Sequence, residues 1–184
     1  MHILPVALLA FLVTCAMPAG ASAVEPIDEA FGLKIGAEFV PADGPEAYTM
    51  LNGLRAYYFA PETPSPFFTL YLVQITPITH LIHTVIAIGP GPDLPTCLEH
   101  RANLMPDLTE RYGKSFNFEP PAGPAYEKDY EIILQADQKR GVGVTCGGNA
   151  DVILQIIYVD DVLSDLAELE RLQLKSEQVD RQVL

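Results

Sequence analysis

The chain has no tryptophan, only three cysteines, and only eleven lysines and arginines against twenty-four acids, giving a net charge of −13 over 184 residues. That shortage of cations excludes a nucleic-acid binder, because phosphates are repelled over most of such a surface. No Cys/His cluster and no H-E-x-x-H occur, so a zinc site lacks its ligand set. No G-x-x-x-x-G-K is present to cradle a phosphate, and no G-x-S-x-G elbow to present a nucleophile. Gly141-Val142-Gly143 does not open a helix and is no nucleotide fingerprint. No cofactor is implied. What is present is apolar residue, at 49%. That is too much for a disordered chain, and the length fits one domain with an ordinary core.

One long uncharged apolar run occurs, Ile3 to Met17, followed by the small-x-small triplet Ala21-Ser22-Ala23. This is the pattern of a secretory signal peptide over residues 1–23, with cleavage after Ala23. At about fifteen residues the run is short for a spanning helix. Leu12-Val13-Thr14-Cys15 resembles a lipobox, so a lipoprotein anchored at Cys15 is the alternative, although Thr14 is unusual before the cysteine. No later run is long enough to suggest a transmembrane segment. All the charged residues lie in residues 24–184, so the −13 belongs to that part. Cys97 and Cys146 remain there, and an even pair in an exported chain reads as one disulfide. Its loop of about fifty residues implies on the order of 4 kcal/mol of stabilisation in the chain-entropy model.

Along residues 24–184, Phe31 to Gly36 reads as a short strand, and Asp43 to Gly53 holds a helix start and stop. Leu54 to Ala60, Phe67 to Thr76 and Leu81 to Gly89 read as strands, the second apolar on both faces. Gly89-Pro90-Gly91-Pro92 breaks the pattern. Asp93 then caps a helix to Tyr112, stopped by Gly113 and kinked at Pro106, with Cys97, Leu104, Leu108 and Tyr112 on one face. Residues 114–125 read as a Pro-rich connection. Tyr126 to Ala136 alternates, with Tyr130, Ile132 and Leu134 on one side and Asp129, Glu131 and Gln135 on the wet side, Ile133 being the exception. Strands follow at Val142 to Cys146 and Val152 to Val159, separated by a turn at Gly147 to Asn149. Asp160 or Asp161 caps a final helix with a stripe of Leu163, Leu166, Leu169 and Leu172, and 176–184 reads as a mobile tail. The expectation is a single α+β domain, an antiparallel sheet of about six strands in the order βββα-βββα covered by two main helices.

Catalytic candidates are thin. His80 and His83 form an H-x-x-H, but an offset of three in a strand points the rings to opposite faces. His100 reads as part of a solvated helix face. Glu127, Asp129 and Glu131 share one wet strand face, which suits solubility rather than a pair of carboxylates facing across a cleft. The informative oddity is the two-sided strand. Phe68, Leu70 and Leu72, with Tyr57 and Phe59 just before, form a candidate interaction surface unless other parts of the chain cover them.

Four stretches carry a resemblance: Phe31-Gly32-Leu33-Lys34-Ile35-Gly36, Pro64 to Phe67, Gln74-Ile75-Thr76-Pro77, and Arg111-Tyr112-Gly113-Lys114-Ser115. Over about residues 31–115 the chain resembles small exported proteobacterial proteins with an F-G-L-x-x-G opening and a Y-G-K-P helix end. Ser115 stands where that group commonly has proline. The resemblance implies export and carries no activity. The expected function is a non-catalytic periplasmic or secreted binding or protein-interaction module. A periplasmic or cell-envelope protein is the expected partner, and a homodimer is compatible with it. The alternatives are a small hydrolase pairing a histidine with a carboxylate, and an acidic inhibitor that steers a basic secreted enzyme by charge.

Overall fold

The computed structural model describes residues 24–41, 49–50, 53–118, 129–135, 139–147 and 152–183. The leader with Cys15, most of the Asp43–Gly53 helix and the turn at Gly148-Asn149 lie outside the described residues. In chain order the elements are β1 (Glu29–Ala30), β2 (Leu33–Lys34), β3 (Ala56–Tyr58), β4 (Leu70–Ile75), β5 (Ile82–Gly91) and α1 (Leu94–Tyr112). Then come β6 (Phe116–Phe118), β7 (Asp129–Gln135), β8 (Arg140–Gly147), β9 (Val152–Asp160) and α2 (Asp161–Val183). The fold is α+β. Seven strands form one antiparallel sheet in the order β3-β4-β5-β9-β8-β7-β6, with β1-β2 a separate hairpin. Two meanders, β3-β4-β5 and β7-β8-β9, meet at the β5–β9 seam, and each is followed by a helix. The extra strand relative to expectation is β6, which lies in the Pro-rich connection and pairs at the sheet edge with β7.

One face of the sheet carries the main core. Val85 and Ala87 of β5, Leu154 and Ile156 of β9, and Val142 and Val144 of β8 are buried together with Cys97, Met105, Leu108 and Tyr112 of α1. Alternation puts these strand residues on one side, as a period of two requires. The helix starts where Asp93 accepts from the Thr96 N–H at 2.8 Å, and ends at Gly113, whose N–H donates to the Thr109 carbonyl at 3.1 Å. Pro106 lies inside α1, and the helix continues through it. Cys97 and Cys146 are bonded, S–S 2.07 Å, fastening α1 to β8.

Several local expectations change. Phe31 to Gly36 is not one strand. Phe31 (φ 52°) and Gly32 (φ 84°) turn the chain between β1 and β2. The left-handed Phe31 is held by its ring, which meets Tyr71 edge-on at 5.1 Å and Phe68 and Tyr158 at 5.8 Å. Strand β5 runs on through Gly89-Pro90-Gly91. Pro90 lies beyond the last pairing of β4, Leu70 with Ile88, so its missing N–H costs no ladder bond. Gly89 is required there, because a Cβ would sit 1.8 Å from the Phe67 carbonyl oxygen.

In β7 the core side is the reverse of the expected one. Ile133 and Gln135 are buried, whereas Leu134 is 53% exposed. Gln135 tolerates burial because its amide is satisfied. It accepts from the Ile27 N–H at 2.8 Å and donates to the Glu25 and Tyr112 carbonyls at 2.6 and 3.2 Å. In α2 the leucine stripe turns outward along its second half: Leu163 and Leu166 are half-buried, whereas Leu169 is 65% exposed and Leu172 48%. The buried positions are Ala167 and Glu170, because α2 packs on the ends of β5 and β9 and on the turn before β5. Residues 176–183, expected as a tail, continue the helix.

Candidate functional site

Among the described residues, the opposite face of the sheet holds a small buried cluster, Ala56, Leu72 and Ile86, with Met50, Leu70, Ile88 and Ile157 partly buried against it. A mainly apolar cleft of about 650 Å³ opens here. Its described lining includes Gln74 of β4, His83, Thr84 and Ile86 of β5, Ile157 and Val159 of β9, and Ser164 and Glu168 of α2.

His83 enters this cleft because β5 carries one extra residue. Gln74 pairs with Thr84 and Ile75 with Ile82, leaving His83 as a bulge. Both His83 and Thr84 therefore line the same cleft, and His83 Nδ1 lies 2.9 Å from Thr84 Oγ1. The register Thr84 with Val159 brings the start of α2 alongside, and Ser164 Oγ lies 3.3 Å from the same Nδ1. Ser164 donates its proton to the Asp160 carbonyl at 2.8 Å, so it offers His83 a lone pair. Thr84 can donate or accept, so the ring can take either tautomer. His83 is 2% exposed, and its Nε2 has no hydrogen-bond partner among the described residues. Burial pushes its pKa down to about 4, against the opposing pull of the Asp160 charge.

The carboxylates around it are engaged elsewhere. Asp160 accepts from Arg140 Nε at 2.8 Å and caps α2 by accepting from the Leu163 N–H at 3.0 Å. Glu168 takes two bonds from Arg171, at 2.7 and 2.6 Å. That bonding holds its carboxyl below the ordinary glutamate value. Gln74 Nε2 and Thr145 Oγ1, on the same sheet face, are also buried without partners among the described residues. Each such atom forgoes on the order of 1–3 kcal/mol of hydrogen bonding.

His80 is not on the strand. It sits in the turn before β5 at φ 56° and lines a different cleft, so the H-x-x-H does not converge. No group of three or more metal-ligating side chains occurs among the described residues. His100 is not on a free helix face: its ring lies 5.4 Å from Phe67, and its Nδ1 is buried with no partner among the described residues. Glu131 accepts from Ser115 at 2.7 Å.

The five residues read as one interaction surface are divided by the sheet. Phe68 is buried in the main core, and Tyr57 and Phe59 pack against that core. Leu72 is buried in the small cluster on the other face, with Leu70 against it. Phe68 leaves the alternation because it precedes β4, whose pairing with β5 starts at Leu70. The sequence reading missed Gln74 and Ser164, which only the pairing of β5 with β4 and β9 brings to His83. Among the described residues, no helix is long and apolar enough to cross a membrane. Compared with protein-family models, curated proteins and solved structures, the chain shows no significant match to any.

Proposed function

We propose that this chain is a periplasmic, non-catalytic binding module whose ligand is a small, largely apolar molecule carrying a hydrogen-bond acceptor. The observation that carries the reading is the pair of buried nitrogens without a partner among the described residues, Gln74 Nε2 and His83 Nε2, in one mainly apolar cleft. Apolar walls with a few convergent polar groups are the general form of a small-molecule site. Gln74 can only donate from Nε2, which calls for a carbonyl or carboxyl oxygen on the ligand. His83 can present either a donor or an acceptor beside it.

Binding is favoured over catalysis by the state of the neighbours. A histidine with a pKa near 4 is a weak base at neutral pH. Asp160 spends its oxygens on Arg140 and the helix cap, and Ser164 spends its proton on a carbonyl. The test is displacement of an apolar fluorescent dye, anilinonaphthalene sulfonate, by dodecanoic acid. Ile157→Trp, which fills the cleft, is expected to abolish dye and acid binding while the melting temperature stays near native. Undiminished binding in that variant would sink the reading.

The 3.3 Å contact of Ser164 with His83 favours a second reading, a serine hydrolase. Turnover of p-nitrophenyl acetate that disappears in Ser164→Ala would replace binding with catalysis.

A further inference from the structure

Two hydroxyls meet the His83 ring and act on it differently. Thr84 Oγ1, 2.9 Å from Nδ1, can donate or accept and adapts to either form of the ring. Ser164 Oγ, 3.3 Å from the same nitrogen, has its proton on the Asp160 carbonyl and turns a lone pair to the ring. An Nδ1–H satisfies that lone pair and a bare Nδ1 repels it, so Ser164 favours the tautomer with the proton on Nδ1. In that tautomer Nε2 is an acceptor. Burial lowers the ring's pKa to about 4, so it is neutral at pH 7. On the neighbouring strand β4, Gln74 Nε2 can only donate. Gln74 is 5% exposed and His83 2%, and neither nitrogen has a partner among the described residues. The cleft thus offers a ligand one donor and one acceptor. Glu168 is the one charged residue of its described lining. The carboxylates of Glu168 and Asp160 are already bonded by Arg171 and Arg140.

We infer that the polar end of the ligand is an uncharged amide, its carbonyl accepting from Gln74 Nε2 and its N–H donating to His83 Nε2, with its apolar chain along Ile86 and Ile157. The inference rests on the reading of this cleft as a binding site and narrows it. A carboxylate carries acceptors only. Its second oxygen would face the Nε2 lone pair, and its charge would lose water against apolar walls beside Glu168. The two arginines nearby are already engaged by Glu168 and Asp160 and do not repay that loss. An ester satisfies Gln74 but leaves His83 Nε2 without a donor, and a site built around a hydrogen bond rejects the analogue that lacks it. An amide satisfies both groups.

The experiment displaces anilinonaphthalene sulfonate from the protein at pH 8 with decanamide, methyl decanoate and decanoate, which differ only at the polar end. Decanamide is expected to bind tightest, at least fivefold over the ester and at least tenfold over decanoate. His83→Leu, which removes the acceptor, is expected to bring amide and ester within twofold of each other. An amide no tighter than the ester, or decanoate as tight as the amide, overturns the amide assignment while the cleft stands as a binding site. A fivefold amide preference that persists in His83→Leu overturns it as well. Displacement by none of the three overturns both the assignment and the binding reading. The order of the three ligands on the native protein decides the matter even if the variant does not fold.

Discussion

The two faces of the central sheet are built from the same strands and solve different problems. On the α1 side, Val85, Val142, Val144, Leu154 and Ile156 meet the helix in a closed core fastened by Cys97–Cys146. On the other side the same strands present Gln74, Thr84, Gln155 and Thr145 among their apolar residues, and a cleft remains open. Of the four buried polar atoms without a partner among the described residues, those of Gln74, His83 and Thr145 belong to that second side, and the fourth, His100 Nδ1, lies on α1. Each lowers the free energy gained by burial. The difference places the closed core on one side and the open cleft on the other.

The largest way to break this contrast is to release the closed face. Replacing Cys97 and Cys146 together by alanine is expected to cost about 4 kcal/mol, given a closed loop of 49 residues. Urea denaturation measures it. A cost near zero would show that packing alone closes that face.

Next comes the open face, probed through His83. The unfolded chain takes up a proton at the ordinary value of 6.5, and the folded ring only near 4. The depressed folded value means that stability is fully present above pH 6.5 and falls as pH drops toward 4. The loss over that window is about 3 kcal/mol, at about 1.4 kcal/mol per pH unit. The difference between native protein and His83→Gln across the window isolates the histidine. Identical pH profiles for the two would mean that the ring is solvated in the fold.

The smallest effect is the direct comparison of matched valines. Val144→Ala, in the closed core, is expected to cost about 2 kcal/mol, and Val159→Ala, in the open cleft, less than about 1 kcal/mol. Equal losses in thermal unfolding would show that the second face is covered as completely as the first.

Much of the fold was legible because local rules act over a few residues. Asp93 and Gly113 mark the ends of α1 by their capping chemistry, and both bonds are present. The alternation in β9 separates Leu154 and Ile156 from Ile157 and Val159, as a period of two predicts. Misreadings fell where a distant partner outweighs the local pattern. Gln135 looks like a solvent residue until Ile27, Glu25 and Tyr112 satisfy its amide. Leu169 and Leu172 look like a core stripe until α2 packs through Ala167 and Glu170 instead. The candidate site was the least legible. Gln74, His83 and Ser164 are each unremarkable in sequence, and they converge only through a bulge in β5 and the β5–β9 seam.

The sequence by itself determined the strand and helix types, the helix caps, the cysteine pair and the acidic balance, because composition and short-range periodicity suffice for each. Tertiary structure alone decided which face of the sheet closes and which polar side chains are buried in it. Those depend on strand order and register, which are set by contacts between residues far apart in the chain, and no local pattern encodes them.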